Sequence, residues 1–156
     1  MITDIKYIKE TKKVNAMILL QDKRIAVASD NKTLNIFNPS DNYKCDLSVT
    51  EEDNVYNICQ IMNGNIITSG GNDTNYIHIY TEDSLKEKKA KYILKNKHNF
   101  YISFLISLSD GSFVSISNQD IFFWKVDEPF IDKPYKTLQE RTEIFNLLEM
   151  KGKNNY

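Results

Sequence analysis

RIAVASDNKTLNIF, residues 24–37, alternates apolar and polar residues on both sides of a short polar turn. Two further segments, NIITSGGNDTNYIHIY at 65–80 and SFVSISNQDIFFW at 112–124, repeat the pattern. Alternation with a period of two residues is typical of β-strands, and polar residues between two such runs predict a hairpin. The chain therefore carries three copies of one strand-rich unit.

The spacing of the copies indicates their architecture. The apolar runs that open the units begin at Val14, Val55 and Ile102, and a fourth begins at Ile144, with offsets of 41, 47 and 42 residues. Periods of about 40 to 45 residues with several short strands are typical of β-propeller blades, whereas helical repeats need apolar residues spaced by 3.6. The sequence predicts an all-β fold, a partial β-propeller of three four-stranded antiparallel blades plus the start of a fourth.

We assign the whole chain, 1–156, to a single propeller segment. The predicted blades are 14–49, 55–95 and 102–139, and extra strands are predicted at 4–10 and 144–150. The dipeptides Asn63-Gly64 and Asp110-Gly111 predict two-residue hairpin turns, because such turns need positive φ angles. The charged run 82–91 is interpreted as a solvated loop between two strands of the second blade.

Composition excludes several classes of partner and location. The 20 basic residues are balanced by 21 acidic ones, so no excess positive charge is available for nucleic acid. The chain has no apolar run of about 20 residues and its N-terminus lacks a signal peptide, so we expect a cytoplasmic protein without a membrane partner. The two cysteines, Cys45 and Cys59, are too few for a disulfide framework and are expected to be buried free thiols.

These units resemble the WD40 repeat family of β-propellers over essentially the whole chain. The family's closing Trp position is filled by Phe37, Tyr80 and Trp124, while the Asp that should follow is absent from every copy. The copies are therefore degenerate, and another family of four-stranded blades is the alternative.

The third unit matches the family pattern best. His98 lies four residues before the first apolar residue of its unit, where the family has a His, and Glu51 holds that place in the second unit. The resemblance implies a structural relay of hydrogen bonds through His98, Ser115 and Trp124, in which Asn118 replaces an Asp. A neutral amide is a poorer acceptor than a carboxylate, so a weaker bond to the His is expected there.

The resemblance also implies a partner-binding rim. Members of the family contact partners where the first strand of a blade begins and just before the turn that leads to its third strand. The matching positions are Lys13, Asp30, Asn54, Asp73, Tyr101 and Ser117.

The function implied by the resemblance is a non-catalytic scaffold or recognition module for proteins or peptides. Rings of the family hold about seven blades, so three blades predict a fragment of a larger propeller. The alternatives are a self-assembling or lectin-like propeller, in which several copies join through exposed blade faces, and a stable open arc.

The residues give no sign of catalysis. No metal-binding, phosphate-binding or nucleophile motif is present, so we expect no enzyme activity, no cofactor and no metal. His78 lies within an alternating strand and is interpreted as a structural or solvated group. The acidic run at 51–53 is interpreted as a solvated loop.

Overall fold

The computed structural model describes residues 12–71, 75–95, 97–130 and 132–140. Its strands and helices are, in chain order, β1 (Val14–Leu19), β2 (Ile25–Ser29), β3 (Thr33–Asn38), a 3-10 turn (Pro39–Asp41), β4 (Lys44–Thr50), β5 (Val55–Gln60), β6 (Ile66–Gly70), β7 (Tyr76–Tyr80), α1 (Glu82–Lys86), β8 (Tyr92–Lys95), β9 (Phe104–Ser107), β10 (Phe113–Ser117), β11 (Asp120–Trp124) and β12 (Lys136–Gln139). The extra strands predicted at 4–10 and 144–150 lie outside the described residues.

The twelve strands form three sheets of four. Strands β1–β4 make the first sheet, β5–β8 the second and β9–β12 the third, and each strand pairs with the next one in the chain. All nine pairings are antiparallel. The prediction of an all-β chain with three four-stranded antiparallel sheets is confirmed.

The sheets pack face to face, and the second sheet lies between the other two. Ala26, Ile36 and Ile58 belong to a core between the first and second sheets. Ile77 and Trp124 belong to a core between the second and third sheets. This arrangement explains why β6 and β7 are buried at every position, since side chains on both faces of the sheet meet a neighbouring sheet.

The hairpin turns between the first two strands of each sheet share one geometry. In the second sheet, Gly64 N donates to Ile61 O at 2.9 Å and Ile61 N donates to Asn65 O at 3.0 Å, which encloses three loop residues. One loop residue per turn has a positive φ, namely Lys23, Gly64 or Gly111. The predicted two-residue turns are wrong, because each loop encloses three residues and has its positive φ at the last of them.

The charged run at 82–91 contains helix α1. The Thr81 hydroxyl accepts from Ser84 N and the Ser84 hydroxyl accepts from Thr81 N. This capping box gives hydrogen-bond acceptors to two backbone N–H groups at the start of the helix. Leu85 is buried in the core between the first and second sheets. Most side chains of the run are exposed, as predicted for a solvated loop, but its first half is a capped helical turn that Leu85 anchors in the core. Within the described ranges, no helix is long and apolar enough to cross a membrane.

Both cysteines are free, but their surroundings differ. Cys59 lies in the core between the second and third sheets, and burial raises the pKa of its thiol to about 12. Cys45 is exposed on β4, so the prediction that both thiols are buried is wrong for Cys45. β4 is an outer strand, and most of its side chains face solvent.

Candidate interaction site

A cleft of about 650 Å³ opens where the first strand of each sheet begins, that is, at the start of β1, β5 and β9. It is lined by Asn15, Tyr56, Asn57, Gly71, Tyr101, Ile102, Ser103 and Phe104. None of these side chains carries a charge, although 26% of the chain is charged. Ligand sites are typically lined by apolar and aromatic side chains with a few polar groups that fix the orientation of the ligand.

Two asparagines hold the sheets together at this cleft. Asn15 on β1 donates from Nδ2 to Val55 O at 2.9 Å and to Asp30 Oδ1 at 2.7 Å. Asn57 on β5 donates from Nδ2 to Ile102 O at 2.9 Å. Each amide thus reaches from one sheet to the start of the next unit, which fixes the spacing of the strands around the cleft.

The segment 98–102, which enters the third sheet, is held at every second carbonyl. The donors are Asn75 Nδ2 to His98 O at 3.3 Å, Ser117 Oγ to Phe100 O at 2.8 Å and Asn57 Nδ2 to Ile102 O at 2.9 Å. The segment lacks a regular ladder in this stretch, so side chains of the second and third sheets supply its hydrogen bonds.

This fixed backbone presents two aromatic side chains to solvent. Phe100 is 55% exposed and Tyr101 is 66% exposed. Tyr101 also lines the cleft, beside the half-buried Phe104. Because the backbone is already fixed, only the rotamer freedom of these side chains is lost when a partner covers them.

The structure brings the three relay residues together. Trp124 Nε1 donates to Ser115 Oγ at 2.8 Å, and His98 Nε2 lies 2.6 Å from the same oxygen. His98 stacks on Phe122 with ring centroids 4.2 Å apart, and its burial lowers the pKa of the imidazole to about 4. His98 Nδ1 has no hydrogen-bond partner in the described part of the chain, so the expected bond in which Asn118 accepts from the His is not formed there.

A second buried network occupies the equivalent place in the second sheet. Glu51 Oε1 accepts from Thr68 Oγ1 at 2.8 Å and from Tyr80 Oη at 3.1 Å. Glu51 Oε2 lies 3.1 Å from His78 Nδ1. The Glu51 carboxylate and His78 are buried, which overturns the interpretation of 51–53 as a wholly solvated loop.

A signal for this network was present in the sequence. Thr68 and Tyr80 stand at the same places in the second unit as Ser115 and Trp124 in the third, and Glu51 stands at the place of His98. In the third sheet, His98 comes from the linker before the sheet and stacks on Phe122 of β11. In the second sheet, the linker provides the Glu51 carboxylate and β7 provides the His78 imidazole.

The predicted rim positions are placed unequally. Lys13 and Tyr101 are exposed, Asp30 and Asn54 are half-buried, Ser117 is fully buried, and Asp73 lies outside the described residues. The backbone links some of them to the cleft: Asp30 N donates to Lys13 O at 3.0 Å, and Gly71 N donates to Asn54 O at 3.1 Å. Ser117 acts on this surface only through its bond to Phe100, so it is not part of the contact surface proposed below.

No group of three or more His, Cys, Asp or Glu side chains in the described ranges is arranged to hold a metal ion.

No protein-family model matches the chain, and no curated protein matches it. Solved structures do match. The structure of U3-55K and the crystal structure of the RRP9 WD40 repeats each align with a TM-score of 0.71 and 13% sequence identity over 86% of this chain.

The alignments cover 42% and 41% of those two solved chains, so this chain spans about two fifths of their length. At 13% identity the likeness is one of fold. The chain has a WD40 propeller-like fold, and the predicted resemblance and the partial propeller are confirmed.

Proposed function

We propose that this protein is a non-catalytic interaction module that binds an uncharged segment of a protein or peptide in the cleft beside Tyr101. The observation that carries the proposal is the exposed Tyr101 on a backbone held at residues 98, 100 and 102. WD40-like propellers support recognition through their rims, and the two half-buried rim residues Asp30 and Asn54 border the same cleft through their hydrogen bonds.

The chemistry of the lining defines the partner. A charged side chain placed in this cleft would lose water without meeting an opposite charge among the lining residues, and Asp30 at the border is already bonded to Asn15 at 2.7 Å. An apolar or aromatic side chain would instead cover the Tyr101 and Phe104 rings, while a backbone amide would meet the polar groups of Asn15 or Asn57. Exposed aromatic residues are frequent centres of binding energy, and truncation of such a centre costs about 2 kcal/mol or more.

Selection of displayed random peptides on the purified protein tests the proposal. Enriched peptides should carry uncharged, apolar centres, and Tyr101→Ala should weaken their binding by at least tenfold. The matched control is Tyr135→Ala, because Tyr135 is also an exposed tyrosine but packs against Phe123 away from the cleft. Peptides with charged centres, or equal binding to the Tyr101 and Tyr135 variants, would contradict the proposed site.

We also propose that the sheets form part of a larger propeller. Met17 and Leu19 alternate with Ala16 and Ile18, which pack against the core shared with the second sheet. Met17 and Leu19 therefore lie on the opposite face of the first sheet, where they are 62% and 65% exposed. This face is already buried at Val27 and Phe37, which are 2% and 7% exposed, so its uncovered part lies along β1. Large exposed apolar side chains there favour packing against a further blade.

The further blade belongs either to a longer chain or to another copy of this one, and the second case is the self-assembling propeller. Light scattering after size-exclusion chromatography distinguishes the two. A discrete oligomer that becomes monomeric on Met17→Lys supports self-assembly, with Met62→Lys as the control at an equally exposed methionine of a turn. A monomeric protein rejects self-assembly and leaves two alternatives, a further blade from a longer chain and a stable open arc.

We propose the cytoplasm as the compartment of this protein. The two cysteines are free, and Cys45 is exposed on β4. An accessible free thiol persists in a reducing compartment and is prone to oxidation outside it. Location of a fluorescently tagged full chain in cells tests this assignment, and retention in a secretory compartment would reject it.

A further inference from the structure

The first asparagine of the cleft beside Tyr101 has no N–H group left for a ligand. A side-chain amide has two N–H donors on its nitrogen, and its oxygen accepts hydrogen bonds. Asn15 Nδ2 donates one hydrogen to Asp30 Oδ1 at 2.7 Å and the other to Val55 O at 2.9 Å. The amide oxygen is therefore the polar atom that Asn15 can still offer to a ligand.

Asn57 is occupied in the same way. Its Nδ2 donates to Ile102 O at 2.9 Å and to Ser69 Oγ at 3.2 Å. A backbone carbonyl cannot donate, so the nitrogen of each amide, and not its oxygen, must face Val55 O or Ile102 O. The orientation of both amides is thus settled by their partners. Rotation of either amide by half a turn would set its oxygen against a carbonyl oxygen and break a bond between two sheets.

Two backbone N–H groups of the lining are occupied as well. Gly71 N donates to Asn54 O at 3.1 Å, and Ser103 N donates to Ile116 O at 2.7 Å. Both Gly71 and Ser103 line the cleft. The hydroxyl of Ser103 can rotate and either donate or accept. These two N–H groups, like the two amide nitrogens, are bonded within the protein and are not available to a ligand.

The two amide oxygens are open to the cleft. The ladder between β1 and β2 shifts register at Asn15, and the ladder between β5 and β6 shifts register just before Asn57. Such bulges re-aim the side chains beside them and are frequent next to functional sites. In the described part of the chain, no donor is bonded to Asn15 Oδ1 or Asn57 Oδ1, and neither oxygen is buried without a partner. A ligand in the cleft can therefore reach both oxygens.

We propose that the cleft selects its ligand by hydrogen-bond donors, and that the group it recognises is the carboxamide of an Asn or Gln side chain in an otherwise apolar peptide segment. This inference rests on the proposed peptide site and names the group that the site binds. A carboxamide brings two N–H donors without a charge. Proline lacks an N–H, and a carboxylate only accepts, so both are disfavoured. Oxygens that are fixed before the ligand arrives lose little freedom on binding.

The test changes the ligand, because variants of Asn15 or Asn57 would also break bonds between the sheets. The probes are phenylacetamide, N-methylphenylacetamide and methyl phenylacetate, which share one aromatic group and carry two, one and no N–H donors. The methylated amide and the ester are a matched pair, since they differ in an N–H against an oxygen. Each probe is titrated into the isotope-labelled full chain, and the backbone signals of Asn57 and Ser103 are followed by nuclear magnetic resonance. The amide with one N–H should bind about fivefold more tightly than the ester, the factor expected for one hydrogen bond, and phenylacetamide should bind most tightly.

The donor selection and the site itself fail in different ways. Equal affinities of the methylated amide and the ester, both lost in Tyr101→Ala and kept in Tyr135→Ala, reject donor selection and leave the site standing. Probes that shift none of the cleft signals reject the site and the selection together. Peptides enriched on the purified protein give a second measure, because replacing their Asn or Gln by Asp or Glu should weaken binding at least fivefold. Enriched peptides without a central Asn or Gln overturn the assignment of the carboxamide.

Discussion

His98 should make the protein unstable in mild acid. The residue is 3% exposed, its Nε2 contacts the Ser115 hydroxyl, and no carboxylate lies within ion-pair distance of it in the described residues. Burial lowers the pKa of the imidazole to about 4, whereas the ordinary value is 6.5. The folded protein therefore excludes a proton that the unfolded chain binds.

The size of the effect follows from this difference. The stabilisation by neutral His98 is fully present above about pH 6.5 and is lost as the pH falls towards 4. Each pH unit in that window corresponds to about 1.4 kcal/mol, so the complete loss is about 3 kcal/mol. The free energy of unfolding of a domain is typically about 5–15 kcal/mol, so this loss is a large fraction of it.

Urea unfolding followed by the fluorescence of Trp124, the single tryptophan, measures the effect. We compare the native protein with His98→Gln at pH 7 and pH 4.5. Other carboxyl groups titrate in both proteins, so they cancel in the difference between the two free energies of unfolding. That difference should shift by about 2.5 kcal/mol in favour of the variant at the lower pH.

Asn99→Gln serves as the control, because Asn99 is an exposed neighbour without a titrating group. Its effect on the free energy of unfolding should be the same at both pH values. A His98→Gln effect that is equally independent of pH would refute the argument that burial keeps His98 neutral.

Four substitutions test the packing and the turns, each by its urea unfolding midpoint. Gly70→Ala should cost about 3 kcal/mol or more, since a Cβ there would lie 1.9 Å from Asn54 O, while Gly64→Ala, with open space around it but a φ of +90°, should cost about 1 kcal/mol. Similar costs for the two glycines would contradict the steric argument. Lys23→Gly should stabilise the protein by about 0.5–1 kcal/mol, because Lys23 has a φ of 71° in the equivalent turn, and a loss of stability would refute this. Leu85→Ala should cost about 2–3 kcal/mol if α1 is anchored in the core, and less than about 0.5 kcal/mol if the run 82–91 is solvated.

The sheets were predictable from the sequence because their signal is local and is repeated. Alternation over a few residues specifies a strand, and the run from Arg24 to Phe37 already contains two strands and their turn. Three copies in register then indicate the same pairing three times. The relay around His98 could be placed in the same way, by position within the third copy.

The remaining features depend on distances that one unit does not specify. Glu51 reads as part of an acidic loop until the second sheet folds against the first and places His78 and Thr68 beside it. Leu85 is one apolar residue in a charged run, and its burial depends on the gap between two sheets. Ser117 matches a rim position in sequence, yet the segment around Phe100 covers it. Packing between units decided each of these outcomes.

The central place of the second sheet has a consequence for local opening of the fold. Both faces of β6 and β7 are covered by neighbouring sheets, whereas the first sheet leaves Met17 and Leu19 uncovered. Amide hydrogens should therefore exchange with deuterated solvent most slowly in β6 and β7 and faster in β1. The second sheet, in the middle of the chain, should therefore open last, and the first sheet should open locally before it.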